Sequence, residues 1–514
     1  MEYISLPKLD KKNALPVASL AIAVSIVYTS YRMFLSNQEK KHTFKKIPIP
    51  GSAYPYIGHM MSLGELPGRT IQKWHKELGP IINLKMGIQN WIAVDDPVLA
   101  HKIFVTNGID TSYRPHNAYA FNILCSGGKG VSFSQPNGRW KVTRSAILNL
   151  LSPKYIEKHI PTISSGSRKL VSDFIECTMR EGGVNPYKYA QLFGMNNIFG
   201  ALFGRTFPSV EDPEFIKLLH LAETITTCLA LENDLPNYFP ILSVYEYFFK
   251  SQDEQKRFLE NEYYPFFRKF VKEAYEAEGS NFIKSLTEEG PKLSEDETMH
   301  VALDLIVAGT DTIPVSLFWI IAIMCHHPDV QKKVTTEIDD FIKLNKCLPS
   351  FHDRSQLPYC ISTVKECMRF RPTTSLGLPH TTRRDILVDD YMIPKGSVII
   401  PSMESMHMRS DVYAEPERFM PERFINNLKT MYSAANGKLE ERDHYSFGWG
   451  RRICPAINFA EAEVFSAFIQ VFSECYIEPA SEIFPDLDSG VNLGIAVSPV
   501  SYKVKLIKRE CVYT

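Results

Sequence analysis

Phe447-Gly448-Trp449-Gly450-Arg451-Arg452-Ile453-Cys454-Pro455-Ala456 is the stretch on which the reading of this sequence turns. Its two glycines let backbone lie against a flat ligand, because no side chain holds the chain away. Its two arginines can pair with carboxylates, and Cys454 follows at once. A lone cysteine is ordinarily a small core hydrophobe. One set in a glycine-arginine loop is a better candidate for a thiolate ligand, since neighbouring cations favour loss of the thiol proton. The apolar run from 458 to 472 reads as a helix and would place the sulfur near that helix's positive end. Ten cysteines in 514 residues, none in a C-x-x-C pair, are too sparse for a disulfide framework or a zinc site.

Working outward, the clearest helix begins at Ser294-Glu295-Asp296-Glu297, a capping box. Apolar residues continue to Cys325, before His326-His327-Pro328 ends the run. At 1.5 Å per residue such a helix spans about 46 Å, and one so long and apolar belongs inside a domain. Near its centre Ala308-Gly309-Thr310-Asp311-Thr312 puts an acid and hydroxyls where packing would prefer leucine. Back-bonded threonines in a distorted helix are one reading; the cost of burying an acid favours a site. Pro314 removes a helical hydrogen bond, so a kink and a wider groove are expected there. Residues 80–86 and 90–94 read as strands, with Asp95-Asp96-Pro97 opening a helix. Residues 387–400 read as a β-hairpin around Pro394-Lys395-Gly396, and 490–507 as a final strand pair. The fold class is mainly α with small β-sheets.

Residues 13–35 contain an uncharged stretch long enough to cross a bilayer. A cleaved secretory signal competes, but the length of the run and the lack of paired cysteines favour an anchor. Residues 32–46 carry a net charge of +4 against +1 for residues 1–13, which leaves residues 1–12 lumenal and the remainder cytosolic. Residues 36–51 form a basic linker ending in Pro48-Ile49-Pro50-Gly51, a stiff elbow. At about 150 residues per domain the length suggests three domains, yet no repeat or low-complexity linker divides 52–514, which reads as one large domain. Lys+Arg 57 against Asp+Glu 58 supplies no basic field for nucleic acid. A 44% hydrophobic and 22% charged composition fits a globular chain rather than a disordered or multi-spanning one.

F-G-W-G-R-R-I-C resembles the haem-binding loop F-x-x-G-x-R-x-C of the cytochrome P-450 family, the haem-thiolate monooxygenases. Four further segments are similar to family signatures and occur in the family's order over nearly the whole chain. Glu366-Cys367-Met368-Arg369 is similar to E-x-x-R, whose spacing puts both charges on one helix face. Pro421-Glu422-Arg423-Phe424 is similar to P-E-R-F, Ala308–Thr312 to A-G-x-D-T, and Trp140 with Arg144 to W-x-x-x-R. The anchor and elbow resemble those of eukaryotic microsomal members, fungal ones most. The resemblance implies haem b, with Cys454 as proximal iron ligand in a loop that includes Phe447 and Gly448. It implies that Arg452, Arg144, Trp140 and His380 hold the propionates and that Glu366, Arg369 and Arg423 form a buried structural triad. Asp311 and Thr312 would be the catalytic pair that relays protons. A thiolate ligand pushes electron density onto iron and favours O–O cleavage.

The function so implied is insertion of one atom of O2 into a lipophilic substrate of steroid, terpenoid or fatty-acyl type, steroid hydroxylation being favoured. Electrons would come from NADPH through a cytochrome reductase, with cytochrome b5 as a further partner, to a monomer in the endoplasmic reticulum membrane. Lys141, Arg442 and Arg451 are expected to offer a basic surface to an acidic partner. The expected pocket walls are the loop at 118–125, Val301, Leu305, Ala308, Leu376, Leu378 and Leu493. Ala456 stands where glycine is common, one small residue for another. Two other readings are a haem-thiolate isomerase or dehydratase that needs no reductase, and a non-catalytic haem-binding protein. Thr312 argues against the first, and the Asp311-Thr312 pair against the second.

Overall fold

Ser294 starts the long helix as its sequence requires. Its hydroxyl accepts from the Glu297 amide at 3.3 Å while the Glu297 carboxylate accepts from the Ser294 amide at 2.9 Å, so two otherwise orphaned donors are satisfied. The computed structural model describes residues 44–115, 124, 126–228, 235–242, 251–288 and 293–510. The expected anchor at 13–35 and most of the loop at 118–125 lie outside the described residues.

The long helix covers Glu295–Cys325, every residue from Ile313 to Cys325 being buried. By length and hydropathy it could cross a membrane; its burial makes it the core of the domain instead. It continues through Pro314, which lies inside the helix. Side-chain hydroxyls bond to carbonyls through this stretch, Thr310 to Ile306 at 2.8 Å and Ser316 to Thr312 at 2.7 Å. Helix Pro186–Phe203 lies along it, and helices Ile160–Glu181, Pro358–Phe370 and Ile457–Glu474 complete one large apolar core.

A four-stranded sheet stands apart from that core. Ile81–Met86 pairs antiparallel with Gln89–Val94, which pairs parallel with Val398–Pro401, which pairs antiparallel with His380–Thr381. The Asp96 side chain caps the helix that follows the second strand, accepting from the Leu99 amide at 2.7 Å. The sheet and helix Pro67–Leu78 enclose a second apolar cluster that includes Ile71, Ile82, Leu84 and Ile400. This arrangement corrects the hairpin expected over 387–400. The turn at Pro394-Lys395-Gly396 does form, with the Ser397 amide donating to Pro394. The strand leaving it, however, takes Trp91–Val94 and His380–Thr381 as partners. The final pair expected over 490–507 forms as Val491–Asn492 with Val497–Ser498, and Val504–Lys508 pairs besides with Cys475–Pro479.

Residues 44–46 with Asp389–Met392 form a separate small unit. Within it the Lys45 amide donates to the Asp390 carbonyl at 2.8 Å, and the Lys45 ammonium lies 5.2 Å from the Tyr391 ring centre.

Candidate active site

The loop Phe447–Ala456 is closed by the Cys454 amide, which donates to the Phe447 carbonyl at 2.9 Å. Gly450 sits at φ +56°, where a Cβ would lie 2.1 Å from the Phe104 carbonyl oxygen, so only glycine fits between the loop and that backbone. Arg442 lies beneath. Its guanidinium is 4.1 Å from the Trp449 ring centre and donates to the Gly448 carbonyl at 2.8 Å, while Trp449 stacks on Tyr445 at 5.2 Å. Arg442 is therefore a half-buried prop of the loop; burial lowers it to about 10. Lys141 is exposed, and Arg451 is half-buried against the Trp140 ring.

Cys454 enters a cavity of about 300 Å³. Burial pushes its thiol up, only partly opposed by the Ala456 amide and by Arg144. The loop arginines thus do not acidify it as expected, because Arg452 is aimed elsewhere. Arg452 Nε and Nη1 donate to the carbonyls of Ser112 and Val131 at 2.9 Å each, and Nη2 to Ser134. Its guanidinium lies 4.3 Å from the Trp140 ring centre, and the Trp140 indole N–H donates to the same Val131 carbonyl at 3.1 Å. Arg144 donates to the Ile453 carbonyl. The His380 Nδ1 lies 2.9 Å from the Thr111 carbonyl, and burial beside Arg114 pushes that imidazole well down.

Arg114 is the residue that sequence reasoning missed. Its Nε donates to Ser132 at 2.8 Å and its Nη1 to Leu378 and Pro379 at 3.0 and 2.8 Å. Burial, with Arg144 adjacent, lowers it to about 9; burial, with Arg114 and Arg144 adjacent, lowers Arg452 to about 8. Among the described residues no carboxylate forms an ion pair with Arg114, Arg144 or Arg452. Arg114 and Arg452 are buried and Arg144 half-buried, and among the described residues their side chains donate to carbonyls; cations so placed without a counter-charge are costly, and they suit a dianionic ligand. With the Cys454 sulfur and the glycine-lined loop on the same cavity, the residues present fit haem and its two propionates.

The long helix supplies the opposite wall with Leu305, Ala308, Gly309 and Thr312. The Thr312 hydroxyl donates to the Ala308 carbonyl at 2.8 Å. Asp311 turns from the cavity towards Tyr187, whose phenol is 3.5 Å from its Oδ1. Burial and the nearby Glu223 raise the Asp311 carboxyl to about 6, against the pull of that phenol. Asp304, a second residue missed, lines the cavity and accepts from the Val131 and Ser132 amides. Of the expected pocket residues Leu305, Ala308 and Leu378 line the cavity. Val301 lies one turn beyond it, wholly buried in the core, and Leu376 packs on the cluster by the sheet. Leu493 packs on the main core, and Ile495 takes its place at the wall.

Behind the loop Arg369 Nε and Nη2 donate to the two Glu366 oxygens at 2.7 and 2.8 Å, and Arg423 Nε adds a third bond at 3.1 Å. Remaining guanidinium hydrogens go to carbonyls: Arg369 to His407, and Arg423 to Ala414, Glu415 and Arg418. A buried charge cluster is tolerated when its members are bonded in this way.

A family model described as cytochrome P-450 matches residues 48–506. Among similar proteins, cytochrome P-450 1A1 of Rattus norvegicus is 25% identical over 439 residues, 80% of this chain and 80% of the relative. The Homo sapiens protein of the same name is 26% identical, covering 80% and 83%. Cytochrome P-450 monooxygenase aneD of Aspergillus aculeatus is 25% identical over 475 residues, 90% of this chain and 88% of the relative.

Proposed function

The chain belongs to the cytochrome P-450 family, and on that premise we propose how its haem-thiolate monooxygenase chemistry is divided among its residues. It is an oxidoreductase that uses haem and O2. Cys454 would supply the thiolate ligand to the haem iron, and Arg114, Arg144 and Arg452, with Trp140 and His380, would hold the propionates. The observation that carries this reading is the trio of guanidinium groups, Arg114 and Arg452 buried and Arg144 half-buried, whose bonds among the described residues go to carbonyls, around the cavity that Cys454 enters.

When bound, haem supplies the iron at which O2 is activated, the thiolate favouring O–O cleavage. The chain's own residues control protons and water. Thr312 gives its hydroxyl hydrogen to Ala308, so its lone pairs face the cavity as acceptors for a water that brings a proton. Asp311, near 6, can both hold and release a proton close to neutral pH, and connects that water to the Tyr187 side of the helix. Leu305, Ala308, Leu378 and Ile495 present apolar surface that excludes bulk water and favours a lipophilic substrate. That substrate is of steroid, terpenoid or fatty-acyl type, with steroid hydroxylation first among them. Electrons come from NADPH through a cytochrome reductase, with cytochrome b5 as a further partner, to a catalytic domain at 52–514. Residues 13–35 anchor that domain on the cytosolic face of the endoplasmic reticulum.

The test is the spectrum of the purified, reduced protein under CO. A thiolate-type Soret band that Cys454→Ser removes is expected; a wild-type band of any other type rejects the assignment. Type-I spectral shifts with steroids, terpenes and fatty acids then rank the substrate classes.

A further inference from the structure

Between Ser402 and Cys454 the chain has only short helical turns, at Met403–His407, Pro421–Phe424, Met431–Asn436, Leu439–Glu441 and Gly450–Arg452. Such a stretch makes few backbone ladders, and conformational entropy opens it unless side chains hold it. The Glu366 triad holds its first half, through the carbonyls of residues 407 to 418. The second half has a fastening of its own.

Lys365 has no exposed side-chain surface. Its ammonium donates to the carbonyls of Asn427 and Lys429 at 2.8 and 2.9 Å, and Asp443 closes an ion pair with it at 2.7 Å. From helix Ile457–Glu474, Glu461 accepts from the Met431 amide at 2.9 Å and pairs with Arg354 at 3.4 Å. Arg354 also donates to the Leu428 carbonyl at 3.2 Å. Successive residues of a helix point about 100° apart, so Lys365 and Glu366 reach two different halves of the segment from one turn. The second half leads straight to the cysteine. Arg442, beside Asp443, donates to the Gly448 carbonyl and stacks on Trp449.

We infer that Lys365 is a positioning residue for the cysteine loop: with Asp443 and Glu461 it fixes residues 427–443 and thereby the loop that presents Cys454. The inference rests on the reading of that loop as the haem-thiolate site. Breaking one member leaves a buried charge without its partner, whereas replacing both partners by apolar residues removes the charges together.

The experiment uses the full-length, haem-loaded protein with Lys365→Met, Asp443→Asn and the double variant Lys365→Met/Asp443→Leu. Two quantities are followed: limited proteolysis resolved by site, and the fraction of the CO-bound reduced spectrum that keeps the thiolate form. Each single variant is expected to speed cleavage within 427–443 by roughly tenfold or more, with no new cleavage at 407–423, and to lose the thiolate form in step. The double variant removes both charges but also the donor to the Asn427 and Lys429 carbonyls, so 427–443 is expected to stay more open than in wild type; full wild-type protection in the double variant overturns the inference. Wild-type protection of 427–443 in either single variant overturns the inference, as does opening spread evenly along the chain. Should Lys365→Met fail to fold, Asp443→Asn, which removes only the carboxylate charge, decides by the same criteria. A wild-type protein without a thiolate band defeats the haem reading, and the cleavage pattern still decides the clamp.

Discussion

Replacing Asp311 by asparagine keeps the shape of the side chain and removes its titration. The wild-type carboxyl stands at about 6 against an ordinary 3.8, raised by burial and by Glu223 and lowered by the Tyr187 phenol. The folded state therefore binds the proton more tightly than the unfolded state, and stability falls as pH rises from about 4 through 6. The full difference corresponds to about 3 kcal/mol, of which about 1.4 kcal/mol is lost between pH 5 and pH 8. Urea unfolding of wild type and Asp311→Asn across that range should show a gap that shifts by this amount in favour of the variant as pH rises. Two neighbours supply the sign test. Glu223→Gln removes the anion that raises the carboxyl and should shrink the effect, whereas Tyr187→Phe removes the donor that lowers it and should enlarge it. Glu223 is exposed, so added salt should mimic its removal. A flat gap from pH 5 to pH 8, or neighbour variants that move the effect the same way, would refute the reasoning.

Thr312→Ala should keep haem and the thiolate spectrum while more of the NADPH consumed appears as peroxide; equal product coupling to wild type would remove the hydroxyl from the relay. Gly450→Ala forces a Cβ to 2.1 Å from the Phe104 carbonyl at φ +56°, and a loss of about 2 kcal/mol or more should appear in thermal unfolding together with faster decay of the thiolate band. Arg114→Met should speed haem transfer to a scavenger globin by roughly tenfold to a hundredfold, the worth of one hydrogen bond to a charged group; an unchanged rate would show that Arg114 serves only the carbonyls of Ser132, Leu378 and Pro379.

The long helix was legible because two signals agree, a capping box at Ser294 and an apolar run whose length excludes a strand. The cysteine loop was legible because glycines, arginines and a thiol seldom share so short a stretch. Partners across distance were not. The hairpin reading placed a strand after the turn at Pro394-Lys395-Gly396, but nothing local says that Trp91–Val94 lies beside it. Contacts were hidden as well: Arg442 reads as a free cation until its guanidinium is seen against the Trp449 ring. Arg114 sits between Tyr113 and Pro115 with no periodic context to draw attention to it. Helical spacing put Val301, Leu305 and Ala308 on one side of the helix, yet spacing carries no information about where a cavity ends, and it ends between the first two.

The adjacency of Lys365 and Glu366 bears on how such a chain can change over generations. Point replacements in helix Pro358–Phe370 can be tried one position at a time, because each disturbs one set of bonds. A single inserted or deleted residue ahead of Lys365 turns both side chains about 100° at once, and neither buried charge then meets its partner. Length in this helix is therefore a frozen character. Insertions and deletions in chains built on this plan are expected in the connections that carry no buried charge.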